Sequence, residues 1–277
     1  MRILICGDVL GKSGRQVILK NIEKLRTGLR ADCVIVNGEN AAHGFGITEK
    51  ICNGFYDVGV DVITTGNHVW DQREIMNYID SDPRLLRPIN YPQGTPGAGF
   101  GIYDVNKNKK ILVINLLGRL FMDSLDDPFK AADKLLNKYK LGRDVDAIII
   151  DMHAETTSEK MAMAHFCDGR SSIVVGTHTH IPTADTQILI GGTAYQTDLG
   201  MCGDYNSVIG MDKETAVARF TKKVPMSRLE PMGGDASLCG IFVETYDSTG
   251  LAKSIEPIRF GGNLQIALPK EILDQRH

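Results

Sequence analysis

The chain has 277 residues, a length that excludes a disulfide-stapled miniprotein and suffices to bury a substantial core. Apolar residues make up 43% and charged residues 23%, which excludes intrinsic disorder and fibrous repeats. The 31 Lys and Arg against 34 Asp and Glu leave a net charge of −3, so a broad nucleic-acid-binding face is excluded and a polyanion would bind only locally.

The strand Arg2–Cys6 is expected first, then a helix over Arg15–Leu29, a strand at Cys33–Asn37, a helix at Thr48–Val58, a strand at Val60–Thr64 and a helix at Asp71–Ile79. The strand runs are apolar without polar alternation, as in a parallel sheet covered on both faces, so the fold class is α/β. Gly99–Val105 and Lys110–Leu116 read as a hairpin. Buried strands follow at Ala147–Met152 and Ser172–Val175 around a helix at Thr157–His165, and Gln187–Ile190 and Thr193–Gln196 bracket a Gly191-Gly192 turn. Gly203–Asp235 shows no clear periodicity and reads as a long loop excursion, and strands near Leu238–Tyr246 and Ala252–Arg259 close the chain. With no Pro-rich linker and no repeat, residues 1–277 read as a single domain.

The six cysteines, Cys6, Cys33, Cys52, Cys167, Cys202 and Cys239, form no C-x-x-C pair, which argues against a zinc ribbon or a disulfide frame and suits a reducing compartment. The first apolar run stops at Gly7-Asp8 and no 18-residue apolar run occurs, so a cytoplasmic protein without a membrane span is expected.

Polar residues follow directly on the expected strands: Asp8, Glu39-Asn40, Asn67-His68, His153, and His178-Thr179-His180. Ligands of open α/β sheets bind beyond the carboxyl ends of the strands, so residues remote in sequence converge there. Taken singly, each block is as well explained by a turn, a cap or a polar loop, and His178-Thr179-His180 would put both imidazoles on one face if extended. Taken together, carboxylates, amides and imidazoles suit first-row metals such as Fe, Mn or Zn. The set exceeds one ion. Two ions about 3.5–4 Å apart can share a bridging carboxylate and hydroxide, the chemistry of phosphoester hydrolysis.

Gly7-Asp8, Gly66-Asn67-His68, His153 and Gly176-x-His178-x-His180 resemble the dispersed blocks of the calcineurin-like metallophosphoesterases. The resemblance is sharper for the YmdB-type bacterial phosphodiesterase branch, and it extends through Asp198–Gly203 to the carboxyl end. It implies a four-layer α/β/β/α sandwich of two mixed sheets. The chain departs from the general superfamily at Leu10, where many members carry a ligating His, at Glu39, where they carry Asp, and at Val69, where they carry an acid. Within the branch, the resemblance implies that Glu39 bridges two metals, with Asp8, Asn40 and His180 completing metal one and Asn67, His153 and His178 completing metal two. It implies iron or manganese as the metal, and His68 as the group that steadies the phosphate or protonates the leaving oxygen.

The expected activity is hydrolysis of 2′,3′- or 3′,5′-cyclic nucleotides by a metal-bridging hydroxide. The rival readings are a nucleotide-sensing or RNA-processing regulatory protein with a structural metal site, and a phosphomonoesterase or nuclease on the same scaffold. The expected partner is a small cyclic nucleotide; a homo-oligomer or an RNA-processing protein partner stays open. Arg219 and Arg228 in the excursion are candidates to reach a phosphate. His43, His165 and Glu155 stay outside the catalytic list, Glu155 as a helix-start acid, and His277 is a terminal residue.

Overall fold

The computed structural model describes residues 1–105, 108–222 and 227–273; His277 lies outside them. Strand β1 (Arg2–Val9) leads through helix α1 (Gly11–Gly28) to β2 (Cys33–Asn37), and α2 (Glu49–Asp57) leads to β3 (Val62–Thr64). The Thr48 hydroxyl accepts from the Ile51 amide and caps α2, as its position before a helical run predicts. The helix expected over Asp71–Ile79 shrinks to a single turn, α3 (Ile75–Tyr78), preceded by turns that carry His68 and Asp71.

Strands β4 (Phe100–Val105) and β5 (Lys109–Leu117) form the expected antiparallel pair. Helix α4 (Pro128–Lys138) has no counterpart among the expected elements, although Asp127 accepts from the Phe129 and Lys130 amides as its cap and Pro128 occupies its first turn, both readable signals. Then follow β6 (Ala147–His153), α5 (Thr157–Cys167), β7 (Ile173–Thr177), the short antiparallel pair β8 (Gln187–Ile188) and β9 (Ala194–Gln196), and β10 (Met201–Asp204). The excursion is less irregular than expected: its start belongs to β10, and it contains helix α6 (Lys213–Lys222). Strands β11 (Ala236–Thr245) and β12 (Ala252–Phe260) precede a last turn, α7 (Lys270–Leu273).

The strands form two mixed six-stranded sheets, ordered β12-β11-β10-β1-β2-β3 and β4-β5-β6-β7-β9-β8. Alternate residues of β1 divide between two cores. Ile3 and Ile5 face Ile111, Val113, Ile149 and Val175 of the other sheet, whereas Leu4 and Cys6 face Ile18 and Ile22 of α1. Leu135, Leu136 and Met163 of α4 and α5 cover the far side of the second sheet. Helix, sheet, sheet and helix are therefore stacked in that order, the α/β/β/α sandwich that the resemblance implies. Because both faces of each sheet are buried, the strands read as continuous apolar runs. Among the described residues, no helix is long and apolar enough to cross a membrane.

One irregularity of the first sheet positions the site. Arg2–Cys6 of β1 pair with β11, but Asp8 and Val9 pair instead with Met201 and Cys202 of β10. The exchange draws the segment before β10 against Asp8, whose amide donates to the Gly200 carbonyl at 3.2 Å.

Candidate metal centre

All five polar blocks meet at the rim formed by the carboxyl ends of β1, β2 and β3 in one sheet and β6 and β7 in the other. The backbone at Gly66 passes so close to the cluster that a Cβ there would lie 2.3 Å from Glu39 Oε2 and from the His153 ring, which explains the glycine before Asn67. Around His153 Nε2 stand Glu39 Oε1 at 3.0 Å, Asn67 Oδ1 at 3.1 Å and His178 Nδ1 at 3.1 Å. Ligands bound about 2.0–2.2 Å from a single ion at near-right angles lie about 3 Å from one another, so this spacing fits a cation. Ligand atoms of Glu39, His153 and His178 lie within 4.8 Å of one another.

A second group adjoins it. The Asn40 amide donates to Glu39 Oε1 at 3.0 Å and sits 3.1 Å from His180 Nε2. Fully buried Asp8 receives the His178 amide on Oδ2 at 3.1 Å, while its Oδ1 has no hydrogen-bond partner. A buried carboxylate oxygen without a donor is costly unless a cation serves it. Glu39 lies between the two groups: its Oε1 meets both His153 Nε2 and the Asn40 amide at 3.0 Å, while its Oε2 accepts from the His68 amide at 3.1 Å.

Each of the three imidazoles has its far nitrogen fixed. His153 Nδ1 lies 2.8 Å from the Thr177 hydroxyl, which donates on to Asp151 Oδ1 at 2.7 Å. His178 Nε2 lies 3.0 Å from Glu155 Oε2, and His180 Nδ1 lies 2.8 Å from the Ile209 carbonyl. Acceptors at those positions hold the outer proton and leave His153 Nε2, His178 Nδ1 and His180 Nε2 as lone pairs aimed inward, the arrangement that orients imidazole ligands. The Glu39, Asn67, His153 and His178 donors thus fit a metal ion, with the unpartnered Asp8 oxygen beside them.

Electrostatics follow from burial without a cation. Burial pushes the Asp8 carboxyl up to about 6, with Asp198 and Glu39 adding to it against His180 and His153. Burial and the neighbouring His153 hold His178 down to about 3, a neutral ring. For Glu39 and His153 burial opposes the charged forms, but their mutual attraction and hydrogen bond prevail, so Glu39 falls below the usual carboxylate range and His153 rises to about 9.

His178-Thr179-His180 is not extended. His178 and His180 have φ of +100° and +68°, and the turn sends one ring to each group instead of placing both on one face. Asp198 holds this turn, accepting from the Thr179 amide and hydroxyl, the Gly200 amide and the buried Lys160 ammonium. His68 lies at the edge of the cluster with Nδ1 2.9 Å from Asp71 Oδ2. His43 and His165 are exposed and outside the cluster. Glu155, read from sequence as a helix-start acid, is instead the partner of His178. Its spacing two residues after His153 was the available signal; nothing in the sequence marks the carbonyl of Ile209.

The family model for the YmdB-like protein matches residues 4–258. The chain belongs to the YmdB-like family. It is 48% identical over 258 residues, 93% of this chain and 96% of the relative, to the 2′,3′-cyclic-nucleotide 2′-phosphodiesterase of Bacillus subtilis (strain 168). A putative phosphatase/phosphodiesterase of Mycoplasma pneumoniae is 38% identical over 94% of this chain and 92% of its own. Among solved structures, a hypothetical protein from Thermus thermophilus superposes with a TM-score of 0.88 at 41% identity, covering 95% of this chain and 100% of that one. A novel phosphatase from Mycoplasma pneumoniae gives 0.88 at 36% identity, covering 99% and 96%. The YmdB-type resemblance and the sandwich it implies are both borne out. In this YmdB-like chain, two of the departures from the wider superfamily point away from the cluster: Leu10 packs with Met201 and Met211, and Val69 is buried in the helix-side core.

Proposed function

We propose that this YmdB-like protein is a metal-dependent phosphodiesterase that opens 2′,3′-cyclic nucleotides at the bond between phosphorus and the 2′ oxygen, leaving a 3′-phosphomonoester. The observation that carries the reading is the ring of Glu39, Asn67 and His178 donor atoms at 3.0–3.1 Å about His153 Nε2, next to the orphaned oxygen of Asp8. The name of the 48% identical relative supplies the substrate class.

Asp8, Glu39, Asn40 and His180 would hold one ion, and Glu39, Asn67, His153 and His178 the other. Two bound ions supply Lewis-acid charge for the phosphoryl oxygens and an activated water. The residues of the chain do the rest. Glu39 keeps the two groups in fixed relation, its Oε1 touching His153 and Asn40 and its Oε2 held by the His68 amide. Thr177, Glu155 and the Ile209 carbonyl keep the imidazoles aimed inward. His68, with Nδ1 engaged by Asp71, has Nε2 left to hold a proton against the departing 2′ oxygen. The water oxygen adds to phosphorus as the P–O2′ bond breaks, and the 2′ oxygen leaves as a hydroxyl. The six cysteines are all free and buried, which suits a cytoplasmic enzyme.

The test pairs metal analysis of protein purified without chelators with hydrolysis of 2′,3′-cyclic, 3′,5′-cyclic and bis-p-nitrophenyl phosphodiesters. Two ions per chain, Fe or Mn before Zn, and preferential opening of the 2′,3′-cyclic substrate are expected. Glu39→Gln should lose turnover while remaining folded. Undiminished hydrolysis by that variant removes the proposed centre from the reaction.

A further inference from the structure

We infer that Arg228 is a substrate-binding residue that takes the anionic phosphate of the nucleotide, an inference that rests on the phosphodiesterase reading above. The Arg228 guanidinium stands 5.5 Å from the centroid of the Phe45 ring, and the same ring meets the His68 imidazole edge-on at 5.0 Å between centroids. The cation and the histidine proposed to face the departing oxygen therefore share one aromatic neighbour. Among the described residues, Arg228 has no ion pair and no hydrogen bond, and its guanidinium lies over the Phe45 ring. Other arginines are satisfied in different ways: Arg26 pairs with Asp61, Arg170 with Asp133, and Arg87 is wrapped by the carbonyls of Pro88, Thr95 and Pro96.

Arg228 is not carried on a loose strap. Arg219 of α6 donates to the Ser227 carbonyl at 2.9 Å just before it. Just after it, Leu229 packs on the cluster of Leu10, Met201 and Met211 that also supports Phe45, and the Glu230 carbonyl accepts from the Asp212 amide at 2.8 Å. Phe45 is fixed in turn, its carbonyl accepting from Gln72 Nε2 at 2.7 Å. The backbone on both sides of the arginine and the ring beneath it are thus held, leaving the guanidinium as the free element.

The half-exposed carboxylates of Asp71 and Glu155 are already engaged with His68 and His178. A phosphate near Phe45 and His68 would meet in Arg228 a cation that, among the described residues, no carboxylate engages. A planar guanidinium over an aromatic face matches phosphate oxygens with two parallel donors while the ring supports its back.

The experiment uses the full chain loaded with Mn²⁺, as wild type, Arg228→Ala and Arg228→Lys. It measures KM and kcat for a 2′,3′-cyclic nucleotide, metal content, and binding of inorganic phosphate by calorimetry. Arg228→Ala should raise KM about tenfold or more with the effect on KM and not kcat, weaken phosphate binding by a similar factor, and leave metal content unchanged. Arg228→Lys should recover part of both, since an ammonium keeps the charge and loses the fork. If wild type fails to turn over cyclic nucleotides, the activity reading falls, and a loss of phosphate binding in Arg228→Ala still upholds the anion site. Phosphate binding and KM both within twofold of wild type would overturn the inference.

Discussion

Replacing Thr177 with Val tests whether the buried polar core behind His153 is what makes the imidazole a ligand. The substitution keeps the shape and removes one hydroxyl, which lies 2.8 Å from His153 Nδ1 and donates to Asp151 Oδ1 at 2.7 Å. His153 and Asp151 are both buried, and the other oxygen of Asp151 keeps its donors, the Thr64 hydroxyl at 2.6 Å and the Asn37 amide at 3.1 Å. His153 Nδ1 and Asp151 Oδ1 thus lose their hydrogen-bond partner without access to water, while the Asn37 amide, 3.4 Å from the hydroxyl, keeps Asp151 Oδ2. At about 1–3 kcal/mol for each buried group left unsatisfied, the cost is about 2–6 kcal/mol, a large share of an ordinary folding stability. The imidazole would also lose the acceptor that fixes its outer proton, which for such supporting contacts lowers metal affinity about 10–100-fold. Urea titration of the metal-free protein measures the first effect, and calorimetric titration with Mn²⁺ the second. Thr177→Ser keeps both hydrogen bonds and should restore affinity. A Thr177→Val protein with wild-type urea midpoint and wild-type Mn²⁺ affinity refutes the reasoning, because the network would then carry neither stability nor orientation.

Three further outcomes are expected. The pH dependence of metal-free protein should bear the mark of His153: raised to about 9 by Glu39 against burial, it contributes stability that is fully present below about 6.5 and is lost as pH rises to about 9, so the rise in Tm on adding Mn²⁺ should grow across that interval; a pH-independent rise contradicts it. Glu155→Ala, which frees His178 Nε2, should weaken Mn²⁺ binding about tenfold without a comparable loss of stability, because the carboxylate is half-exposed; unchanged Mn²⁺ affinity would leave Glu155 the helix-start acid that its sequence position suggests. Lys160→Met strands the buried Asp198 carboxylate, now 2.7 Å from the ammonium, and should cost about 3–5 kcal/mol by chemical denaturation; a cost below about 1 kcal/mol would mean that the Thr179 and Gly200 donors suffice alone.

Residue order made much of this molecule legible. The apolar runs of β1, β2, β6 and β7 report strands buried on both faces, and the polar residue immediately beyond each reports the rim, because a strand must turn where its apolar run ends. Asp8, Glu39, Asn40, Asn67, His68, His153, His178 and His180 all occupy the rim for that reason. Helix α4 is missing from the expected elements although its cap and proline are visible at Asp127 and Pro128. The excursion hid α6 because its few apolar positions give that helix little of a buried face; among its residues only Ala216 is buried.

The sequence by itself determined which side chains lie at strand ends and that carboxylates, amides and imidazoles would gather there, since those follow from local pattern and from the rule that parallel strands present their carboxyl ends together. Tertiary structure alone decided which atom of each ring faces inward. That choice depends on the Thr177 hydroxyl, the Glu155 carboxylate and the Ile209 carbonyl, groups at different sequence separations from the rings they orient. It also depends on left-handed turns at His178 and His180 that a period of two residues does not foresee. Hydrogen-bond partners across a fold are set by packing, and packing is a property of the whole chain.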